Sequence, residues 1–214
     1  MLTERYRVPR GTSQAELVIK GSRFIGTLAS ARDADAAEAF LNEMRQRYAD
    51  ATHNAWAYRI PSTPQPIIAF SDDGEPGGTA GRPMLSMLAG ADLYEAVVVG
   101  TRYFGGVKLG TGGLVRAYGG AARAAIDHAP LATKVLHIIA EIRVPYSLYG
   151  PLRHELERHG SRILDEAFAR EVRVKLAVPK ARVASLSSAL CDLSSGSVVL
   201  EDHVVATRYL LETA

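Results

Sequence analysis

YEAVVVGTRYFGGVKLGTGGLVRAYGGAARAAIDHA, Tyr94 to Ala129, holds three kinds of pattern in immediate succession. Tyr94 to Gly100 is nearly all apolar, as expected of a strand covered on both faces. RYFGGVKLGTGG then breaks regular structure. From about Gly113 to Ala129, Leu114, Val115, Tyr118, Ala122 and Ile126 recur at helical spacing, with Thr111 as the expected N-cap. Arg116, Gly120, Arg123 and Asp127 share the other side. A doubly covered strand feeding a helix through a tight loop puts the chain in the α/β (α+β) class.

Upstream, residues 5 to 30 alternate as two strands, with a turn near Pro9 to Ser13 and a break at Lys20-Gly21. Asp33 is placed to cap a helix carrying Ala36, Ala37, Phe40, Leu41, Met44 and Tyr48. His53 to Ile60 and Pro66 to Phe70 read as strands, separated by the prolines 61, 64 and 66. SDDGEPGGTAGR, Ser71 to Arg82, is a loop by composition, and Pro83 suits the first turn of a helix closed by Gly90.

Downstream, Pro130 and Leu131 mark a boundary, dividing the chain into domains 1–131 and 132–214. Val135 to Val144 alternates, Ser147 to His159 is helical, and Ser161 to Asp165 pairs with Glu171 to Val178 across a tight turn. Pro179 opens a helix to Leu193, and Val198 to Tyr209 is a last strand. The order βαββαβ is the ferredoxin-like plan.

Apolar residues make up 47% and charged residues 22%, enough to build a core and to set disorder aside. With 25 basic and 23 acidic residues, net charge alone does not announce a nucleic-acid binder, so any basic patch must come from segregation in space. The single cysteine, Cys191, rules out an internal disulfide and reads as a buried helix residue. MLTERYRVPRG has no apolar run of a signal peptide, and no window is long enough to span a bilayer, which sets the expectation of a cytoplasmic protein without a membrane partner.

Between Ala96 and Ile126 there is no acid, and seven of the nineteen residues from Arg102 to Gly120 are glycine. Glycines let backbone N–H groups approach a ligand, and a helix starting near Gly112 points its positive end the same way. Arg102, Lys108, Gly110, Thr111, Gly112, Gly113, Arg116 and Arg123 are therefore the candidate anion or nucleic-acid contacts, with Tyr103, Phe104 and Tyr118 as stacking rings. The segment is no P-loop, since Thr111 stands where the lysine belongs after Gly105 and Gly110. Nor is it a dinucleotide fingerprint, which needs a third glycine where Val115 stands. The opposing reading assigns these glycines to tight turns and close packing, Gly119-Gly120 especially.

The acidic loop supplies Asp72, Asp73 and Glu75, with Thr79 and Arg82 beside them. These acids would serve either as solvated turn residues or, opposite a bound anion, as a general base or magnesium ligands. Calcium-loop spacing is absent, His53 has no second histidine at metal-binding spacing, and no GxSxG occurs. The expectation is no metal and no cofactor.

SDDGEPGGTAGRPM and VVVGTRYFGGVKLGTGGLVRAYGGAARAAI together resemble the IMPACT family, in its bacterial, YigZ-like form. That resemblance implies an N-terminal domain with the fold of the second domain of ribosomal protein S-five, an α/β sandwich. It implies a ferredoxin-like C-terminal domain similar to domains of elongation factor G. Eukaryotic members regulate translation; bacterial members have no established activity. The leading expectation is a non-enzymatic protein that binds RNA or a ribonucleoprotein in translation regulation. A protein-partner adaptor and an enzyme acting on a phosphate-bearing small molecule stand as alternatives.

Overall fold

The structure, a computed structural model, describes residues 4–62 and 64–212. Part of the N-terminal reading, on residues 1–3, lies outside them. Two compact units divide between Thr133 and Lys134.

The first unit begins with β1 (Arg5–Pro9), β2 (Ser13–Ile19) and β3 (Ser22–Ser30), three strands where the alternation suggested two. Lys20 and Gly21, at φ 48 and 79, turn β2 back on β3, the positive-φ pair a two-residue hairpin requires. Then come α1 (Ala34–Arg47), β4 (His53–Ile60), β5 (Ile67–Ser71), α2 (Gly81–Gly90), β6 (Ala96–Tyr103) and α3 (Thr111–Asp127). Asp33 caps α1 as expected, accepting the Ala36 N–H at 2.8 Å.

The sheet runs β2-β3-β6-β4-β5, every neighbour antiparallel. Central β6 is buried at all but its last residue, and its period of two serves both faces. Val97 and Val99 meet Leu41 and Met44 of α1, whereas Val98 meets Met84 and Leu88 of α2 and Tyr118 and Ala122 of α3. β6 continues to Tyr103, three residues past Gly100, so Arg102 is a strand residue held by the sheet.

The second unit takes in most of β7 (Leu131–Val144), then α4 (Tyr146–Arg158), β8 (Arg162–Phe168), β9 (Val172–Pro179), α5 (Val183–Leu193) and β10 (Val204–Leu211). β10-β7-β9-β8 is an antiparallel order in which the first and third strands are central, the ferredoxin-like arrangement. Ile142, Val144, Val174 and Leu176 pack against Leu152 and Leu156 of α4 and Leu186 and Leu190 of α5. The last strand starts later than its apolar run suggested, because Leu200–His203 forms a helical turn that buries Leu200. Cys191 is half-buried rather than buried. The chain is an α+β protein with two antiparallel sheets, and among the described residues no helix is long and apolar enough to cross a membrane.

Candidate functional site

The site grows from the end of β6. Antiparallel pairing sets His53 opposite Arg102, and the Thr52 N–H donates to the Arg102 carbonyl at 2.9 Å. Two residues on, the Phe104 N–H donates to Thr52 Oγ1 at 3.0 Å, and the Gly105 N–H donates to Ser22 Oγ at 3.1 Å. Gly105 is obligatory here, since a side chain would run into the backbone of Gly21 in the β2–β3 turn. Gly119, by contrast, has ordinary room: a Cβ there would meet Pro83 Cβ at 3.8 Å.

The chain leaves this pinned point through Val107 and Lys108 and enters α3 at Gly110, whose φ of 73 favours glycine. Gly110, not Thr111, is the N-cap, and no side chain caps the helix. The Leu114 N–H donates to Gly110 O at 3.0 Å, so the N–H groups of Thr111, Gly112 and Gly113 have no acceptor within the helix. The first turn holds no acid, leaving the positive end of a 17-residue helix uncompensated along its own chain.

The three acids of the loop diverge. Asp72 accepts the N–H groups of Gly78 at 2.7 Å, and of Ala80 and Gly81 at 2.9 Å each, tying the loop to the start of α2. Burial pushes its carboxyl up, but those backbone donors and nearby Arg82 outweigh it and hold the group below the usual aspartate range. Asp73, at φ 48, accepts the Asn54 N–H at 2.6 Å. Its carbonyl takes the proton of His53 Nδ1 at 2.6 Å. Glu75 turns inward. Its Oε1 accepts from Arg102 Nη1 and from the Tyr118 hydroxyl, both at 2.8 Å, in a pair whose side chains retain 3% and 7% exposure. Burial first, and the Glu75 bond second, push the Tyr118 phenol far up, so it is a permanent donor. The three carboxylates are thus each engaged with different partners. Among the described residues, no group of three or more His, Cys, Asp or Glu side chains is placed to hold a metal ion.

A cleft of about 410 Å³ opens where these pieces meet, and the acidic loop and the glycine-rich segment share it. Glu75, Pro76 and Arg102 line it together with Thr52, His53, Phe104, Lys108, Leu109, Gly110, Thr111 and Leu114. Lys108 is exposed, and the Phe104 ring is 47% exposed. Arg102 Cζ lies 5.3 Å from the Phe104 ring centroid and 5.4 Å from that of Phe24.

The other sequence candidates part company with it. Gly112 and Gly113 belong to the first turn of α3, and Arg116 is exposed one turn further. Arg123 lies about 18 Å along the helix from Thr111. It donates to both Asp127 carboxylate oxygens at 2.9 Å, in a separate depression with Arg7 and Leu131. Thr79 is buried, its hydroxyl bonded to the Pro76 carbonyl at 2.6 Å, and Arg82 does not line the cleft. Tyr118 is wholly buried, and the Tyr103 hydroxyl donates to Asp50 at 2.8 Å, so Phe104 alone of the three rings faces the cleft. Thr52 carries no signal in the sequence that points to the site. Thr52 reaches the site through strand pairing with a residue fifty positions later, and no local pattern announces that.

A model of the Impact N-terminal domain matches residues 20–126, and a domain of unknown function (DUF1949) matches residues 142–197. The chain is 37% identical over 199 residues to the IMPACT family member YigZ of Escherichia coli, covering 92% of this chain and 97% of that one. It is 42% identical over 186 residues to an IMPACT family member of Thermus thermophilus, covering 86% and 99%. A solved structure described as a hypothetical protein is 34% identical, superposes with a TM-score of 0.61, and covers 99% of both chains.

Proposed function

The chain belongs to the IMPACT family, and we propose that it is a non-enzymatic RNA- or ribonucleoprotein-binding protein of translation regulation whose cleft at the start of α3 holds one nucleotide of the bound chain. The observation that carries this reading is the conjunction, in one nucleotide-sized cleft, of an exposed ring, an exposed ammonium and a helix end with open N–H groups. Phe104 is the stacking platform, Lys108 the phosphate contact, and the N–H groups of Thr111 to Gly113 the seat for phosphate oxygens. Arg116 extends the basic lip by one turn.

The non-enzymatic part rests on the acids. Asp72 and Asp73 are engaged by backbone donors and Glu75 by Arg102 and Tyr118, so each of the three loop carboxylates has a structural partner. Crosslinking of the tagged protein in cells, with recovered RNA sequenced, tests the reading beside a Lys108→Ala, Arg116→Ala variant. Defined RNAs enriched with the native protein and lost with the variant are the expected result. Equal recovery from both proteins rejects the cleft as the site.

A protein-partner role has its own support. Edge strand β5 carries Ile67, Ile68 and Phe70 at 44%, 47% and 39% exposure, with no charged residue among Ile67–Ser71. A specific protein recovered after nuclease treatment, and lost on Ile68→Lys, favours that role.

A further inference from the structure

Arg102 is an unusual residue to find in the wall of a cleft. Its side chain is only 7% exposed, yet Glu75 takes Nη1 alone, and Nε is buried with no hydrogen-bond partner. A guanidinium whose Nη1 is taken still has the Nε/Nη2 edge, the planar fork that grips two oxygens of a carboxylate or phosphate at once. Leaving a charged buried donor unmet costs free energy that a ligand oxygen would recover. This orphaned donor is independent of the helix end, and Arg102, Gly110 and Thr111 line the same cleft.

We propose that the cleft is built for a terminal phosphomonoester, with Arg102 Nε and Nη2 gripping two of its oxygens and Lys108 and the Thr111–Gly113 N–H groups holding the third. The proposal rests on the RNA-binding reading above and sharpens it to the end of the chain. Charge favours a terminal group over an internal one. Within the cleft Glu75 and Arg102 cancel, which leaves Lys108 and about half a unit from the end of α3, and Arg116 on the lip adds to the same sign. The sum, at least about +1.5, matches a phosphomonoester at about −1.5 to −2 at pH 7 better than a diester at −1. Size is compatible: at about 410 Å³ the cleft stands at the small end of ligand pockets, with room for one nucleotide. Phe104, 47% exposed and with its ring centroid 5.3 Å from Arg102 Cζ, stands beside the guanidinium as the stacking ring for the terminal base.

Free nucleotides and RNA ends offer the same group, and one set of titrations separates them. Wild-type protein is titrated with a mixed-sequence RNA hexamer bearing a 5′-phosphate, a 3′-phosphate or hydroxyls at both ends, and with adenosine 5′-monophosphate. A phosphorylated end is expected to bind about ten- to a hundredfold tighter than the hydroxyl hexamer, the range of charge-assisted hydrogen bonds. Equal binding of all three hexamers overturns this proposal and leaves RNA binding standing. Binding of the mononucleotide with no hexamer binding keeps the phosphomonoester and rejects RNA. No binding by any probe rejects both.

Arg102→Lys keeps the charge but loses the fork, and should abolish the preference for a phosphorylated end. Because that residue sits in a buried pair, exposed Lys108→Ala is run in parallel, with folding of both checked by circular dichroism. Retention of the full preference by folded Arg102→Lys protein contradicts the assigned grip.

Discussion

The two ends of α3 carry cations of the same formal charge in opposite circumstances. At the N-terminal end Lys108 is exposed beside a cleft, next to a buried arginine with a donor to spare and a helix terminus with open N–H groups. At the C-terminal end Arg123 is equally exposed, but both oxygens of Asp127, one turn on, take its Nε. The pairing also places an acid where the helix dipole is already negative. A basic residue becomes a candidate contact when its charge is uncompensated and a concavity lies within its reach. Arg123 meets neither condition at the glycine-rich cleft, although it belongs to the same acid-free stretch of sequence.

The sharpest way to break this contrast is to remove the acid that organises the N-terminal end. Glu75→Ala strands the buried Arg102 and the Tyr118 hydroxyl together, and should destabilise the first unit by about 3–5 kcal/mol in urea unfolding. Asp72→Ala comes next. It deprives three backbone N–H groups of their acceptor, and the expected loss is about 1–3 kcal/mol. Because folding depresses the Asp72 carboxyl, its contribution is complete above the unfolded value near 3.9 and fades as pH falls through the lower folded one. Asp72→Asn should flatten that acid limb of a stability-versus-pH curve; an unchanged limb would place the acid sensitivity elsewhere.

Phe104→Ala probes binding alone, since the ring is half in solvent. Loss of one stacked base should weaken single-stranded RNA about tenfold with no change in the unfolding midpoint. At the far end of α3, Arg123→Ala should leave the unfolding midpoint where it is, as expected of an exposed i, i+4 pair. A large shift there would mean that the Asp127 end is structurally as important as the cleft.

Much of this is legible in the amino-acid sequence. The all-apolar run at Val97, Val98 and Val99 announced a strand covered on both faces, and helices do cover both. Asp33 was legible as a cap because a short carboxylate before a helical pattern has one obvious use. The βαββαβ order of the second unit followed from alternation and turn residues alone. The site was legible as a segment but not as a set of partners. Thr111 looked like the cap of α3, yet Gly110 takes the place because its φ of 73 suits glycine. Glu75 stood out only as one acid of three, since its role depends on Arg102 and Tyr118, 27 and 43 residues away, whose approach is set by sheet register and helix packing. Tyr118 illustrates the same limit: a tyrosine among glycines and arginines reads as a stacking ring until the packed core claims it.

The account stands most directly on a titration of labelled single-stranded RNA, followed by fluorescence anisotropy across a range of salt, with wild-type, Lys108→Ala and Arg123→Ala proteins. The prediction is wild-type affinity that falls as salt rises, a slope of log affinity against log salt shallower by about 0.7 for Lys108→Ala, and no change for Arg123→Ala. Wild-type slope retained by Lys108→Ala, with the loss appearing in Arg123→Ala, would contradict it and move the site to the other end of the helix.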